Sequence, residues 1–359
     1  MSLQVSYKRQ TLLIFMLLIV FFVGLEIILK TYDYFNPRCD FMSNPLSENM
    51  AYDTKKDVCD AWRNHLVHID PVSGISGPLP NQHFPTMNIN EYGFRGPEFL
   101  QEKSGDTYRV VVVGGSTTFA IRILSDDGSI PGHLQKNFDK LNLDKKIEVI
   151  NAGIDAQTSN DEIHLIKTKI VNLNPDLIIV YDGHNDVTNF PGITKKKFND
   201  DFAAHIWKKY LNFYDTPFVI GGVIDKIKDP LQPILLDTEW EEKTIIWKQN
   251  MMEICQLGQK NGFKTLIFLQ PFLGTGNKTL TEHEKENYEF YFREKLLPGY
   301  QLFANELNDL DNYCTGTVDL RYVFDDIKES VYFDEAHIGS ESNKIIADKI
   351  LDVALPLVE

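Results

Sequence analysis

Arg109-Val110-Val111-Val112-Val113-Gly114-Gly115-Ser116-Thr117-Thr118-Phe119 is the stretch from which the fold can be read. Its four consecutive valines form an unbroken apolar run. That suits a strand buried on both faces, as in a parallel sheet covered by helices. Gly114 and Gly115 end the run with a sharp turn and allow close backbone approach. Ser116 follows at once, at the C-terminal end of a central strand, where open α/β sheets bind ligands. A serine there is a candidate nucleophile, and a plain strand-to-helix turn is the alternative. The spacing excludes a phosphate loop and a dinucleotide fingerprint, because neither G-x-x-x-x-G-K-[ST] nor G-x-G-x-x-G is present. The G-x-S-x-G elbow is absent too, since position 118 is threonine.

Outward from this stretch, buried runs alternate with amphipathic ones. Strands are expected at 109–114, 146–151, 176–181, 264–270 and near 316–320. Helices are expected at about 128–141, 158–172, 239–261 and 341–354. The alternation predicts a five-stranded parallel sheet with helices on both faces, a three-layer α/β/α domain over about 106–359. It breaks at about 187–238, where basic and aromatic residues mix before an apolar stretch with breakers. That insertion reads as a lid, as a membrane-facing surface or as a surface elaboration. A second insertion is expected at about 271–312.

Before the domain, residues 11–29 (TLLIFMLLIVFFVGLEIIL) are nearly all apolar. As a helix they would span about 28 Å, close to the hydrocarbon thickness of a bilayer. The expected order is a short cytoplasmic segment at 1–10, an uncleaved transmembrane anchor at 11–30, and a stalk and lead-in at 31–105. A cleaved signal peptide is the alternative, but Lys30-Thr31-Tyr32-Asp33-Tyr34 lacks the small residues of a cleavage site. The 31–105 segment, rich in Asn, Pro, Asp and Gly, reads as irregular. Within it, Arg95 reads as part of a structural turn rather than of the site.

The 359 residues suffice for a large core, and a hydrophobic content of 43% with 24% charged residues is ordinary for a globular chain. A net charge of -15 argues against nucleic acid as a partner. The cysteines Cys39, Cys59, Cys255 and Cys314 have no zinc spacing. A Cys39–Cys59 disulfide outside the cytoplasm would close a loop of about 20 residues, worth roughly 3 kcal/mol. Four unpaired thiols are the alternative.

Three further segments fall after buried strands or before a helix: Asn151 to Ser159, Tyr181 to Asp186, and Asp334 to His337. All should gather with Ser116 at one edge of the sheet. A serine hydroxyl needs a base, and histidine accepts and returns a proton near neutrality. The base needs an acceptor on its second nitrogen, and Asp334 lies three residues before His337. A tetrahedral intermediate needs N–H donors, for which the Ser116 amide and the Asn185 side chain are candidates.

With these blocks in place, the chain resembles the SGNH/GDSL hydrolase family over roughly 106–355. Gly114-Gly115-Ser116 stands for its first block, 151–159 for its second, Gly183-His184-Asn185-Asp186 for G-x-N-D, and Asp334 to His337 for D-x-x-H. The resemblance implies a flavodoxin-like sheet, Ser116 as nucleophile, His337 as base and Asp334 as its orienting acid, with no metal or organic cofactor. Two departures stand out. Gly-Asp-Ser-Leu is Gly-Gly-Ser-Thr here, and the family's oxyanion glycine aligns with Ala156. The donor in that loop is therefore Ala156 by alignment or Gly153 by residue type. The function implied is a membrane-anchored serine esterase facing outside the cytoplasm, acting on a glycan O-acyl or lipid ester. An O-acyltransferase acting on surface glycans and a catalytically silent binding protein on the same fold are the alternatives.

Overall fold

The computed structural model describes residues 6–35, 39–188, 240–290 and 296–358. The chain divides into two compact units. In the first, α1 runs from Tyr7 to Phe35, and its stretch Tyr7–Tyr32, which contains 18 consecutive residues with a mean hydropathy of 3.1, is long and apolar enough to cross a membrane. The side chains from Leu12 to Val23 on it are exposed.

The second unit begins with α2 (Tyr52–Asn64), which buries Val58, Cys59 and Ala61. Two small antiparallel hairpins follow. One pairs β1 (Val67–Ile69) with β2 (Ser76–Pro78), the other β3 (Gln82–Phe84) with β4 (Met87–Ile89). Ile75 and Phe94 lie in one core cluster with Val111 and Val113. Residues 41–105 therefore belong to the same compact unit as the sheet. This corrects the expected irregular stalk and the domain start at 106. Strands of three residues leave no alternation to read, which is why the sequence looked irregular there.

The valine run is β5 (Thr107–Gly114), buried at every position. A single helical turn, α3 (Ser116–Phe119), follows, and then α4 (Ile130–Phe138), β6 (Lys146–Gly153), α5 (Ser159–Thr168), β7 (Leu177–Asp182) and α6 (His184–Thr188). Of the insertion expected at about 187–238, everything past Thr188 lies outside the described residues. The chain continues with α7 (Trp240–Asn261), β8 (Lys264–Leu269), α8 (Glu282–Phe290), α9 (Leu297–Leu310), β9 (Gly316–Asp319) and α10 (Ser340–Val358).

The five expected strands pair in parallel in the order β6-β5-β7-β8-β9. This is the flavodoxin-like order, whose switch point lies between β5 and β7. Alternation along β5 divides the valines between two cores. Val111 and Val113 face α5, α7 and α9 through Ile166, Trp247, Ile254 and Phe303. Val110 and Val112 face α4 and α10 through Leu134, Phe138, Ile346 and Ile350. Each buried valine contributes about 1.5–3 kcal/mol of transfer free energy, so this strand can only sit inside three layers.

The segment expected as a second insertion at 271–312 contains the crossover helix between β8 and β9. Leu296, Tyr300, Phe303, Leu307 and Leu310 recur at helical spacing and enter the core. A disulfide joins Cys255 of α7 to Cys314 just beyond α9. Cys39 and Cys59 are disulfide-bonded as well.

Candidate active site

The site is built at the C-terminal end of β5, beside the switch point. Gly114 and Gly115 are required there by space. A Cβ on Gly114 would stand 2.5 Å from the Tyr181 carbonyl oxygen of the neighbouring strand. One on Gly115 would stand 2.5 Å from Nδ2 of Asn185. The chain can therefore turn tightly enough to start α3 at Ser116.

Ser116 Oγ lies 2.8 Å from Nε2 of His337. On the other side of the ring, Nδ1 lies 2.8 Å from Oδ2 and 2.9 Å from Oδ1 of Asp334. The turn carrying this pair is closed by the Phe333 N–H donating to the His337 carbonyl at 2.8 Å. Asp334 Oδ1 also accepts the backbone N–H groups of Ala336 and His337, at 3.0 and 2.9 Å. These bonds fix the carboxylate against its own turn before it meets the ring.

Charge completes the picture. Burial alone would raise the pKa of Asp334. The His337 charge and hydrogen bond, the Arg122 guanidinium and the Ala336 N–H outweigh burial and hold the carboxyl well below its usual range. Burial lowers His337, but the charge and hydrogen bond of Asp334 win, so the imidazole lies above its ordinary value. Arg122 acts on the imidazole in the opposite direction, and Glu335 adds to the rise.

On the far side of Gly115, Asn185 is buried and its Nδ2 donates to the Gln157 carbonyl at 2.7 Å. Its amide thus lies against Gly115, beside the Ser116 backbone. The two candidates of the β6–α5 loop separate clearly. The Gly153 N–H donates to Oδ1 of Asn151 at 3.0 Å, and a Cβ there would meet the Phe119 nitrogen at 2.4 Å. Gly153 is a close-packing position under α3. Ala156 adopts φ +58°, the left-handed conformation that glycine takes at no steric cost.

Behind the oxyanion loop lies a group of acids. Asp186 accepts the Ser159 N–H at 2.9 Å and the Ser159 hydroxyl. Asp182 accepts the Trp247 indole N–H at 3.0 Å. Glu162 is fully buried, and neither of its oxygens has a hydrogen-bond partner. Burial, together with the charges of Asp182, Asp186 and Asp161, pushes the Glu162 pKa well up.

Three residues at the site were not singled out in the sequence. Arg122 pairs with Asp334 Oδ2. The Asp155 carboxyl is raised by burial, and is countered by the nearby His337, His65, Ala156 N–H and Arg122. Each of these is a lone charge or ring in a stretch without periodicity, and only the folded arrangement brings them beside Asp334 and His337.

No protein-family model matches the chain, and no curated protein matches it. Among solved structures it is similar to an acetyl xylan esterase, AlAXEase, at 17% identity and a TM-score of 0.41, over 68% of this chain and 98% of that one. It is similar to an acetylxylan esterase, Axe2, from Geobacillus stearothermophilus at 13% identity and a TM-score of 0.42, over 71% and 96%. It is also similar to a GDSL-like lipase from Bacteroides thetaiotaomicron at 14% identity and a TM-score of 0.40, over 72% and 92%. Likeness at this level assigns no activity, and what the chain does has to be argued from Ser116 and its partners.

Proposed function

We propose that the chain is a serine esterase of the SGNH type. The observation that carries this reading is the unbroken relay from Ser116 Oγ through both nitrogens of His337 to Asp334. Ser116 attacks an ester carbonyl as His337 Nε2 takes its proton. The oxyanion is met by the Ser116 N–H, the Asn185 amide and, when the loop turns it to the substrate, the Ala156 N–H. His337 returns the proton to the departing alkoxide, leaving an acyl-serine and a free alcohol. Water, activated by the same imidazole, then releases the acid and restores Ser116.

The substrate is a carboxylic ester of a glycan or a lipid. α1 serves as the membrane anchor, with the catalytic unit outside the cytoplasm. An oxidising compartment is supported by the Cys255–Cys314 disulfide and the bonded state of Cys39 and Cys59.

The test follows hydrolysis of p-nitrophenyl esters of increasing chain length by the full chain in detergent, beside Ser116→Ala. The expected result is a loss of at least ~1,000-fold in the variant. Preference for acetate would indicate glycan deacetylation, and preference for long chains a lipid substrate. Equal rates in wild type and variant would overturn the proposal.

A further inference from the structure

In a serine–histidine–aspartate relay the acid holds the imidazole in its tautomer and orientation. Here a guanidinium is added. Arg122 Nη1 reaches Asp334 Oδ2, the same oxygen that lies 2.8 Å from the imidazole. The other oxygen already accepts two backbone N–H groups. The acid is thus gripped on both oxygens, by its own turn on one and by a charged side chain from another element on the other.

The backbone that delivers Arg122 is unusual. The single turn of α3 stops at Ala120, which has φ +66°, and Arg122 itself has φ +64°. Two non-glycine residues in the left-handed region within three positions are sterically costly. They persist because the turn is held from outside. The buried Arg95 guanidinium donates to the carbonyls of Thr86 at 2.9 Å, Phe119 at 3.1 Å and Ala120. Its Nε also pairs with Asp126 at 2.8 Å. One arginine therefore fixes the strained turn, and the turn points the second arginine at the triad acid.

We propose that Arg122 is a positioning residue of the triad, which holds the Asp334 carboxylate square to His337 and, by its charge, keeps the imidazole free to take the Ser116 proton. The charged groups that face His337 are Asp334 and Glu335 from its own turn, Arg122 from the loop after α3, and Asp155 from the loop after β6. His65 faces Asp155 from the end of α2. Of these, Arg122 is the cation that opposes protonation of His337. Without it, the imidazolium loses a repulsion, and Asp334 turns its full charge on the ring.

The experiment compares wild type, Arg122→Gln and Arg122→Lys as full chains in detergent. His337 is titrated by NMR with 15N-labelled histidine, its signal identified by its loss in His337→Ala. Rates are measured across pH with p-nitrophenyl acetate. In Arg122→Gln the His337 titration is expected to move up by at least about half a pH unit. The acid limb of kcat/KM should move with it, so the rate at pH 7 should fall relative to the alkaline plateau by up to about 3-fold for each half unit. Arg122→Lys keeps the charge without the planar fork, so it should return the titration toward wild type while recovering part of the rate. An unchanged His337 titration in Arg122→Gln, or a rate lowered equally at every pH, would overturn the proposal. The rate measurements rest on the esterase reading, whereas the titration does not. If the wild type hydrolyses no ester, that reading falls, and the titration still decides what Arg122 does to His337.

Discussion

Two sets of acids in this unit end in opposite states. Asp334 is surrounded by His337, Arg122 and backbone N–H groups, and its carboxyl is held far down despite burial. Glu162 and Asp182 are at least as buried and Asp186 is half-buried, but no cation stands among their leading neighbours, and burial holds all three up. The difference is not depth. It is whether a cation was brought in with the acid. One set is held charged beside Ser116 and His337, and the other resists ionisation behind the loop that carries Asn185.

The contrast can be broken most sharply at Asp334. Asp334→Asn keeps the shape and removes the charge, which leaves His337 without the partner that fixes its tautomer. A fall of roughly 10,000-fold in kcat is expected, measured on p-nitrophenyl acetate. A loss below tenfold would mean that the acid has no part in the relay. The pH profile gives the next effect. His337 must be neutral to act as base, and its pKa is raised above the ordinary 6.5. Activity should therefore be lost on acidification with a midpoint above 6.5, and a midpoint well below that value would contradict the charge balance described.

Glu162 tests the other set. Its folded pKa lies well above the ordinary 4.5, so the unfolded chain ionises first as pH rises. Stability from the neutral carboxyl is complete below about 4.5 and is lost toward the folded pKa. Glu162→Gln should therefore gain in Tm over wild type as pH goes from 4 to 8. The gain is about 1–3 kcal/mol, the usual size for an unpartnered buried group. A Tm difference that stays flat with pH would mean that Glu162 is paired after all. The smallest effect is at Ala156, where φ +58° strains an alanine. Ala156→Gly should stabilise by about 1 kcal/mol, read as a rise in Tm.

The same contrast explains what could be read in the sequence. Val110 to Val113, the alternation of strands and helices, and the spacing from Asp334 to His337 are local patterns, and local patterns survive as text. All five strands and the four helices expected in the domain lie where the periodicities put them, within a few residues. What escaped is tertiary. The crossover helix α9 comes only after the turns that follow β8 and the helix α8, and its apolar residues Tyr300, Phe303, Leu307 and Leu310 gain their meaning from the sheet they cover. Cys255 and Cys314 are 59 residues apart, and nothing local joins them. Arg122 looks like any exposed charge until Asp334, 212 positions on, is folded against it.

Gly115 carries one more consequence, which concerns how such a sequence can drift. The space that a Cβ would need here is filled by Nδ2 of Asn185. That amide is tied to the Gln157 carbonyl, so it cannot swing aside without giving up the bond. A single change of Gly115 to aspartate is thus blocked by a residue 70 positions away. Any side chain introduced at 115 would need a second change that shifts the Asn185 loop, so the two positions can change only together.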